Sequence, residues 1–304
     1  MNSDSAFPDL KVATTLSEVA TQIQRESYAI YRVDDDTHQA VQEAWREARE
    51  FFSSVHGNGD EQVERRQAVM DSYQVIQDGH LMGFHVPSAA KYLFRAYCDN
   101  KHVGNDGQPW PNESFKTASC RLAGKLDEIL NQCCSQIRSQ LNTDTNKETD
   151  NTTTKAGTKR KCAGRSDSSN DDNNIVSRPE HCPLDYFLYH GCVDPAIVSN
   201  CTAHVDRGYL IAICLANNSP GLEVLPASTA SGTTSDADCY VCPEDSTQRA
   251  SLFAEAAACT NLICILAGDQ WRQLDPETTV KACVHRVRNN LRASRLSISY
   301  ELRI

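Results

Sequence analysis

The sequence predicts a mainly β protein with helices, in which a helical N-terminal region precedes a β-rich C-terminal half. Three observations carry this. Residues 182–304 break into short apolar runs bounded by Gly, Pro, Asn and Asp, the pattern of a sandwich or barrel. Residues 1–141 instead hold stretches whose apolar positions recur at helical spacing. Between them, residues 142–176 are Thr, Asn, Asp, Ser and Lys with almost nothing apolar.

Taken in order, LSEVATQIQRES places Leu16, Val19 and Ile23 on one helical face, and YAIYRV after it suits a short strand. DDDTHQAVQEAWREAREFFSSV starts with acidic residues, favourable at a helix N-terminus, and continues in good helix formers. In GFHVPSAAKYLFRAY, Pro87-Ser88 is a candidate helix start. Residues 114–141 predict a strong amphipathic helix, with Leu122, Leu126, Ile129, Leu130, Cys133 and Ile137 sharing a core-packing face. Burial in 142–176 would not offset chain entropy, so the segment is expected to be a disordered insertion. The domain plan is therefore an N-terminal region 1–141, the insertion 142–176, and a β core 177–304. CPLDYFLYHG, YLIAICLANN, GLEVLP, TNLICILAGD, KACVHRV and SRLSISYELR supply the strands of that core, and 227–250 reads as a second loop insertion.

Bulk properties narrow the function. The 304 residues carry a formal net charge of −10, which disfavours a nucleic-acid backbone as partner. No run of 18 apolar residues exists, so no membrane span is expected, and MNSDSAFPDL lacks the basic-then-apolar leader pattern. The expectation is a cytoplasmic protein, most simply a monomer. Its 14 cysteines are then reduced thiols, several acting as small hydrophobes within apolar runs. Cys239-x-x-Cys242 has the spacing of half a zinc site, but no matching second half is evident.

The chemistry gathers around CTAHVDRGYL. On a strand, His204 and Asp206 are two apart and project to the same side. One histidine follows them, His285 in KACVHRV. Two histidines and a carboxylate form a triad on one face of an octahedral metal and leave positions open, the arrangement of a non-haem Fe(II) oxygenase. Ten residues after His285 comes Arg295, then Ser297. A guanidinium beside a hydroxyl on one strand face suits a carboxylate held at fixed distance from the metal.

With these motifs the chain resembles the Fe(II)/2-oxoglutarate-dependent dioxygenases, in their isopenicillin N synthase-like branch. His204-Val-Asp206 with YLIAICLANNSPGLEV is similar to the family's first metal strand and the Gly-Leu-Gln-Val element after it, here Gly221-Leu222-Glu223-Val224. LICILAGDQWRQLDPETTVKACVHRV is similar to the stretch ending at the last metal histidine, and Arg295-Leu-Ser297 to the Arg-x-Ser co-substrate clamp. FPDLKV, YAIYRV, AWREAREFF and Trp110-Pro111 look like the family's N-terminal region. The resemblance implies a distorted double-stranded β-helix (jelly roll) with helices packed outside it. It implies Fe(II) on His204, Asp206 and His285. It implies 2-oxoglutarate chelated to the iron with its distal carboxylate on Arg295 and Ser297, and dioxygen as oxidant, with ascorbate as an aid. Tyr189, in DYFLYHG, sits where the family often has a tyrosine near the co-substrate; core packing is its other reading. Asp269 reads as a turn residue.

The reaction so implied is hydroxylation, desaturation or ring closure of a small organic molecule, releasing succinate and CO2. Halogenation is disfavoured, because family members that halogenate replace the carboxylate ligand with a small residue. Three alternatives stand beside it: an oxidase of the same fold that dispenses with 2-oxoglutarate, a non-catalytic binding module, and a protein substrate. The sequence departs from the family in its two insertions, in Arg207 after the aspartate, and around Tyr189, where the Asn-Tyr-Tyr-Pro wording is missing.

Overall fold

The computed structural model describes residues 11–56, 60–77, 80–88, 91–98, 109–149, 181–191, 199–215, 221–227, 240–241, 261–289 and 294–303. The N-terminal region opens with strand β1 (Val12–Ala13), helix α1 (Leu16–Glu26) and strand β2 (Tyr28–Arg32). Helix α1 starts in a capping box: Thr15 accepts from the Glu18 N–H, and the Glu18 carboxylate accepts from the Thr15 N–H. It ends where Ser27 turns left-handed, at φ 67°. Helix α2 (Asp35–Val55) is capped by Asp34, whose carboxylate accepts from the Thr37 N–H at 2.8 Å. Helix α3 (Asp60–Tyr73) leads into strands β3 (Val75–Gln77), β4 (His80–Ser88) and β5 (Lys91–Ala96).

Pro87-Ser88 therefore ends β4, and the helix expected after it is strand β5. The reason lies in the period of KYLFRA: Tyr92, Phe94 and Ala96 bury against the helical core, while Lys91, Leu93 and Arg95 line a cavity on the other face. Helix α4 (Glu113–Thr149) contains the expected amphipathic helix and runs past residue 141, into the stretch read as an insertion. The rest of 142–176 lies outside the described residues, as do Cys239, Cys242 and most of 227–250. Within 227–250, Val241 is described and bridges to Val224.

The β core comprises β6 (Leu184–Tyr189), β7 (Ser199–His204), β8 (Leu210–Cys214), β9 (Leu222–Leu225), β10 (Leu262–Ala267), a short helix α5 (Gln270–Leu274), β11 (Val284–Arg288) and β12 (Arg295–Leu302). Among the described residues these strands and β1–β5 together form a nine-stranded sheet, ordered β1-β2-β10-β8-β12-β6-β5-β4-β3, and a three-stranded sheet, β7-β11-β9. Every strand expected from the C-terminal sequence is present.

Strand alternation explains how the large sheet covers both its faces. In β8, Leu210, Ala212 and Cys214 face the core shared with α1, α2 and α4, while Ile211 and Ile213 face the small sheet. In β10, Ile263, Ile265 and Ala267 face the helices and Leu262, Cys264 and Leu266 face the small sheet. These strands are buried on both sides, which is why they read as unbroken apolar runs. Toward β12, β6 and β5 the face turned to the small sheet becomes polar, with Arg295, Ser297, Asp185 and Arg95 upon it. A site opens there between the sheets. Among the described residues no helix is long and apolar enough to cross a membrane.

Candidate metal centre

His204 is the last residue of β7 and pairs directly with His285 of β11, their ring centroids 4.3 Å apart. Strand β7 is largely exposed or half-buried and ends at His204, so Asp206 lies beyond it and the expected shared strand face does not place the pair. Asp206 instead sits in a backbone lock. Its carbonyl accepts from the Asp269 N–H at 2.8 Å, the Gly208 carbonyl accepts from Gln270 at 3.3 Å, and the Tyr209 carbonyl accepts from Gly268 at 3.0 Å and from the Trp271 indole at 2.8 Å. Gly268 is required here, because a Cβ on it would lie 2.0 Å from the Gly208 carbonyl oxygen. Asp269 is thus a turn residue, as its context implied.

The lock turns the carboxylate toward both rings: Oδ1 lies 3.5 Å from His204 Nε2 and Oδ2 3.4 Å from His285 Nε2. One ligand atom from each of the three residues lies within 4.8 Å of the others. The outer ring nitrogens are spoken for by the backbone. His204 Nδ1 donates to the Thr202 carbonyl at 2.8 Å, and His285 Nδ1 to the Cys283 carbonyl at 3.2 Å. That fixes the tautomer in which both Nε2 lone pairs converge on Asp206, the usual way a protein orients metal-binding imidazoles. Two imidazole nitrogens and one carboxylate on one face fit a first-row divalent cation, and in particular non-haem Fe(II).

Electrostatics agree with a cation site. Hydrogen bonding to Asp206, and next to Cys201, raises His204 to about 10, the response of an imidazole to a neighbouring carboxylate that favours positive charge. Burial pushes Asp206 upward, but His204 and the nearby His285 outweigh it and hold the carboxylate ionised. His285 is lowered, chiefly by burial. The site faces outward at His204, whose side chain is 38% exposed, and inward at His285, at 6%.

From the triad a cavity of about 260 Å³ runs between the sheets to Arg295. Arg295 is 2% exposed and heads β12; Ser297 follows on the same face. Tyr189 is Arg295's cross-strand partner, and the guanidinium stands over its ring at 5.7 Å from the centroid. Burial pushes the Tyr189 phenol far up, so it stays neutral. The aliphatic stem of Arg295 runs against Gly221, where a Cβ would come within 3.1 Å of its Cδ. The structure thus brings together all six residues singled out from the sequence.

Sequence reasoning missed the residues between these ends. Arg95 of β5 and Asp185 of β6 form a bidentate pair in the cavity wall, Nε–Oδ1 2.7 Å and Nη2–Oδ2 2.6 Å. Glu301 lies in the wall near the triad. The period of β12 could have found it, since 295, 297, 299 and 301 share a face.

No family model matches the chain, and no curated protein matches it in sequence. Solved structures do match in fold. A protein of Caulobacter crescentus assigned to the 2OG-Fe(II) oxygenase family superposes with TM-score 0.63 at 15% identity, covering 98% of this chain and 87% of that one. A full-length Neurospora crassa protein in complex with alpha-KG and 5-formyluracil gives 0.61 at 14%, over 95% and 78%. The rice dioxygenase for auxin oxidation gives 0.58 at 14%, over 94% and 76%. The jelly-roll fold of those oxygenases is the fold of this chain.

Proposed function

We propose that the protein is a non-haem Fe(II)- and 2-oxoglutarate-dependent oxygenase that hydroxylates, desaturates or cyclises a small organic molecule. One observation carries the reading: a two-histidine, one-carboxylate face and a buried arginine stand at opposite ends of one cavity. His204 Nε2, His285 Nε2 and an Asp206 oxygen would hold the iron. Bound there, Fe(II) supplies dioxygen activation coupled to oxidative decarboxylation of 2-oxoglutarate.

The chain's own residues do the rest. Arg295 offers a planar, permanently charged fork to the distal carboxylate of 2-oxoglutarate, and the Ser297 hydroxyl adds a hydrogen bond. Neutral Tyr189 walls that end and holds the guanidinium by ring contact. Ile211, Ile213, Leu222 and Val287 line the interior and exclude water, which strengthens each polar contact within. The Thr202 and Cys283 carbonyls keep both imidazoles presenting lone pairs to the cation.

The test is an anaerobic titration of 2-oxoglutarate into the Fe(II)-loaded protein, followed by its metal-to-ligand absorption band. Arg295→Lys keeps the charge but loses the fork, so affinity should fall roughly ten- to a hundredfold, as for loss of a charge-assisted hydrogen bond. Iron affinity should not change, whereas His204→Ala and His285→Ala should abolish it. No band in the wild type, or wild-type affinity in Arg295→Lys, would leave the same-fold oxidase without 2-oxoglutarate as the better account.

A further inference from the structure

Strand β12 turns Arg295, Ser297, Ser299 and Glu301 toward the cavity. In the reading above the co-substrate takes the first two. Glu301, at the other end of the strand, pairs with Ile211 of β8. Its Oε2 accepts from Arg303 Nη2 at 2.6 Å. Its Oε1 is buried and has no hydrogen-bond partner. The side chain is also braced: a Cβ on Gly208 would meet Glu301 Cγ at 2.6 Å and Oε1 at 3.1 Å. The backbone that braces it is the turn two residues beyond the metal ligand Asp206.

A buried carboxylate oxygen without a donor is costly, so a donor is expected once the cavity is filled. Of the cationic neighbours, Arg303 gives Nη2 to Oε2 while its Nε is buried without a partner, and Arg95 directs Nε and Nη2 at Asp185, so neither donates to Oε1. The neighbouring strand on the same wall offers Ile211 and Ile213, which are aliphatic. An anionic molecule would set its charge beside Glu301 and Asp206 and would be repelled.

We propose that Glu301 selects the substrate: a small nitrogenous molecule donates an ammonium or amide N–H to Glu301 Oε1 and lays its hydrocarbon part on Ile211 and Ile213. The assignment rests on the oxygenase reading, because it takes the cavity's arginine end as filled by co-substrate. Donation to Glu301 holds the molecule beside the Asp206 turn, and so beside the metal face. A carboxylate acceptor favours a cationic N–H donor, whose hydrogen bond is charge-assisted from both sides, over neutral donors.

The experiment uses the full chain loaded with Zn(II), which is redox-inert, and saturated with 2-oxoglutarate. Cyclohexylamine, cyclohexanecarboxamide, cyclohexanol and cyclohexanecarboxylate, matched in size, are titrated by ligand-observed NMR. The amine should bind at least tenfold more tightly than the alcohol and the carboxylate, with the amide between. Glu301→Ala should erase that preference, and Glu301→Gln, which keeps the shape, should retain the amide and lose the amine. Equal binding of all four probes, binding of none, or an unchanged preference in Glu301→Ala would overturn the assignment; it would mean that water alone serves Oε1. Fe(II)-loaded Glu301→Ala should still give the 2-oxoglutarate band with wild-type affinity. Loss of that band in the wild type would instead sink the oxygenase reading.

Discussion

Replacing Gly268 by Ala tests whether the metal face is set by backbone packing. The added methyl would sit 2.0 Å from the Gly208 carbonyl oxygen, about 1.4 Å inside the 3.4 Å at which ordinary contact begins, and 3.1 Å from the Asp206 carbonyl oxygen. Both obstacles are backbone, so no side chain can swing away. The segment 206–208 itself has to move, against the hydrogen bonds it accepts from Asp269 and Gln270. Metal sites tolerate displacements of only about 0.2 Å in their ligands, several times less than the overlap. Loss of a well-placed supporting contact typically loosens a metal about 10- to 100-fold, and overpacking of this kind costs about 1–3 kcal/mol of stability. The assay is anaerobic Fe(II) titration alongside urea unfolding, with Gly124→Ala as control. Gly124 lies within α4, and a Cβ there meets nothing within 4 Å, so that variant should bind iron normally and gain up to about 1 kcal/mol. A folded Gly268→Ala protein with wild-type iron affinity would refute the claim that this turn places Asp206.

Other consequences are as direct. Gly221→Ala would press on Arg295 Cδ from 3.1 Å, so 2-oxoglutarate affinity should weaken a few-fold while iron affinity stays unchanged; unchanged affinity for both would mean the arginine stem adapts freely. Burial, helped by the charge of Arg95, lowers His85 to about 4, against about 6.5 in an unfolded chain. The native state refuses a proton that the unfolded chain accepts, so this stability is complete above pH 6.5 and is lost as pH falls toward 4, by up to about 3 kcal/mol. Urea midpoints of the wild type and His85→Gln should therefore converge between pH 7 and 4.5, and parallel profiles would contradict this. Leu126→Ala, at a fully buried position of α4, should cost about 2–5 kcal/mol in the same assay, and a loss under 1 kcal/mol would place that helix outside the core.

The metal residues were legible because their chemistry is local in sequence. His204 and Asp206 are two apart, and His285 is the one later histidine. The clamp was legible for a similar reason, since Arg295 and Ser297 share a strand face whatever that strand packs against. The wall between them was not legible, because it is made by pairings across long stretches of chain. Arg95 and Asp185 are 90 residues apart and meet through the β5–β6 register. Pro87-Ser88 misled for the opposite reason: a local helix-start signal lost to the two-residue alternation of the six residues from Lys91. Helix α4 overran its expected end because its last residues, 142–149, are polar, and burial arguments alone do not count such a stretch as helix.

The direct opposition of His204 and His285 has a mechanical side. They stand on one rung of an antiparallel ladder that turns irregular immediately beyond it, with register shifts on either side of Val287. Strand β7 has β11 as its neighbour in the small sheet and is otherwise half open to water. Whatever charge is shared between those two rings therefore acts as a fastener on a loosely sewn seam. A cation bound there at 100 times its dissociation constant would add about 2.7 kcal/mol to the closed seam, and its removal would let β7 breathe. Amide exchange in Ser199–His204 would then report the cation's presence well before any change in the nine-stranded sheet behind it.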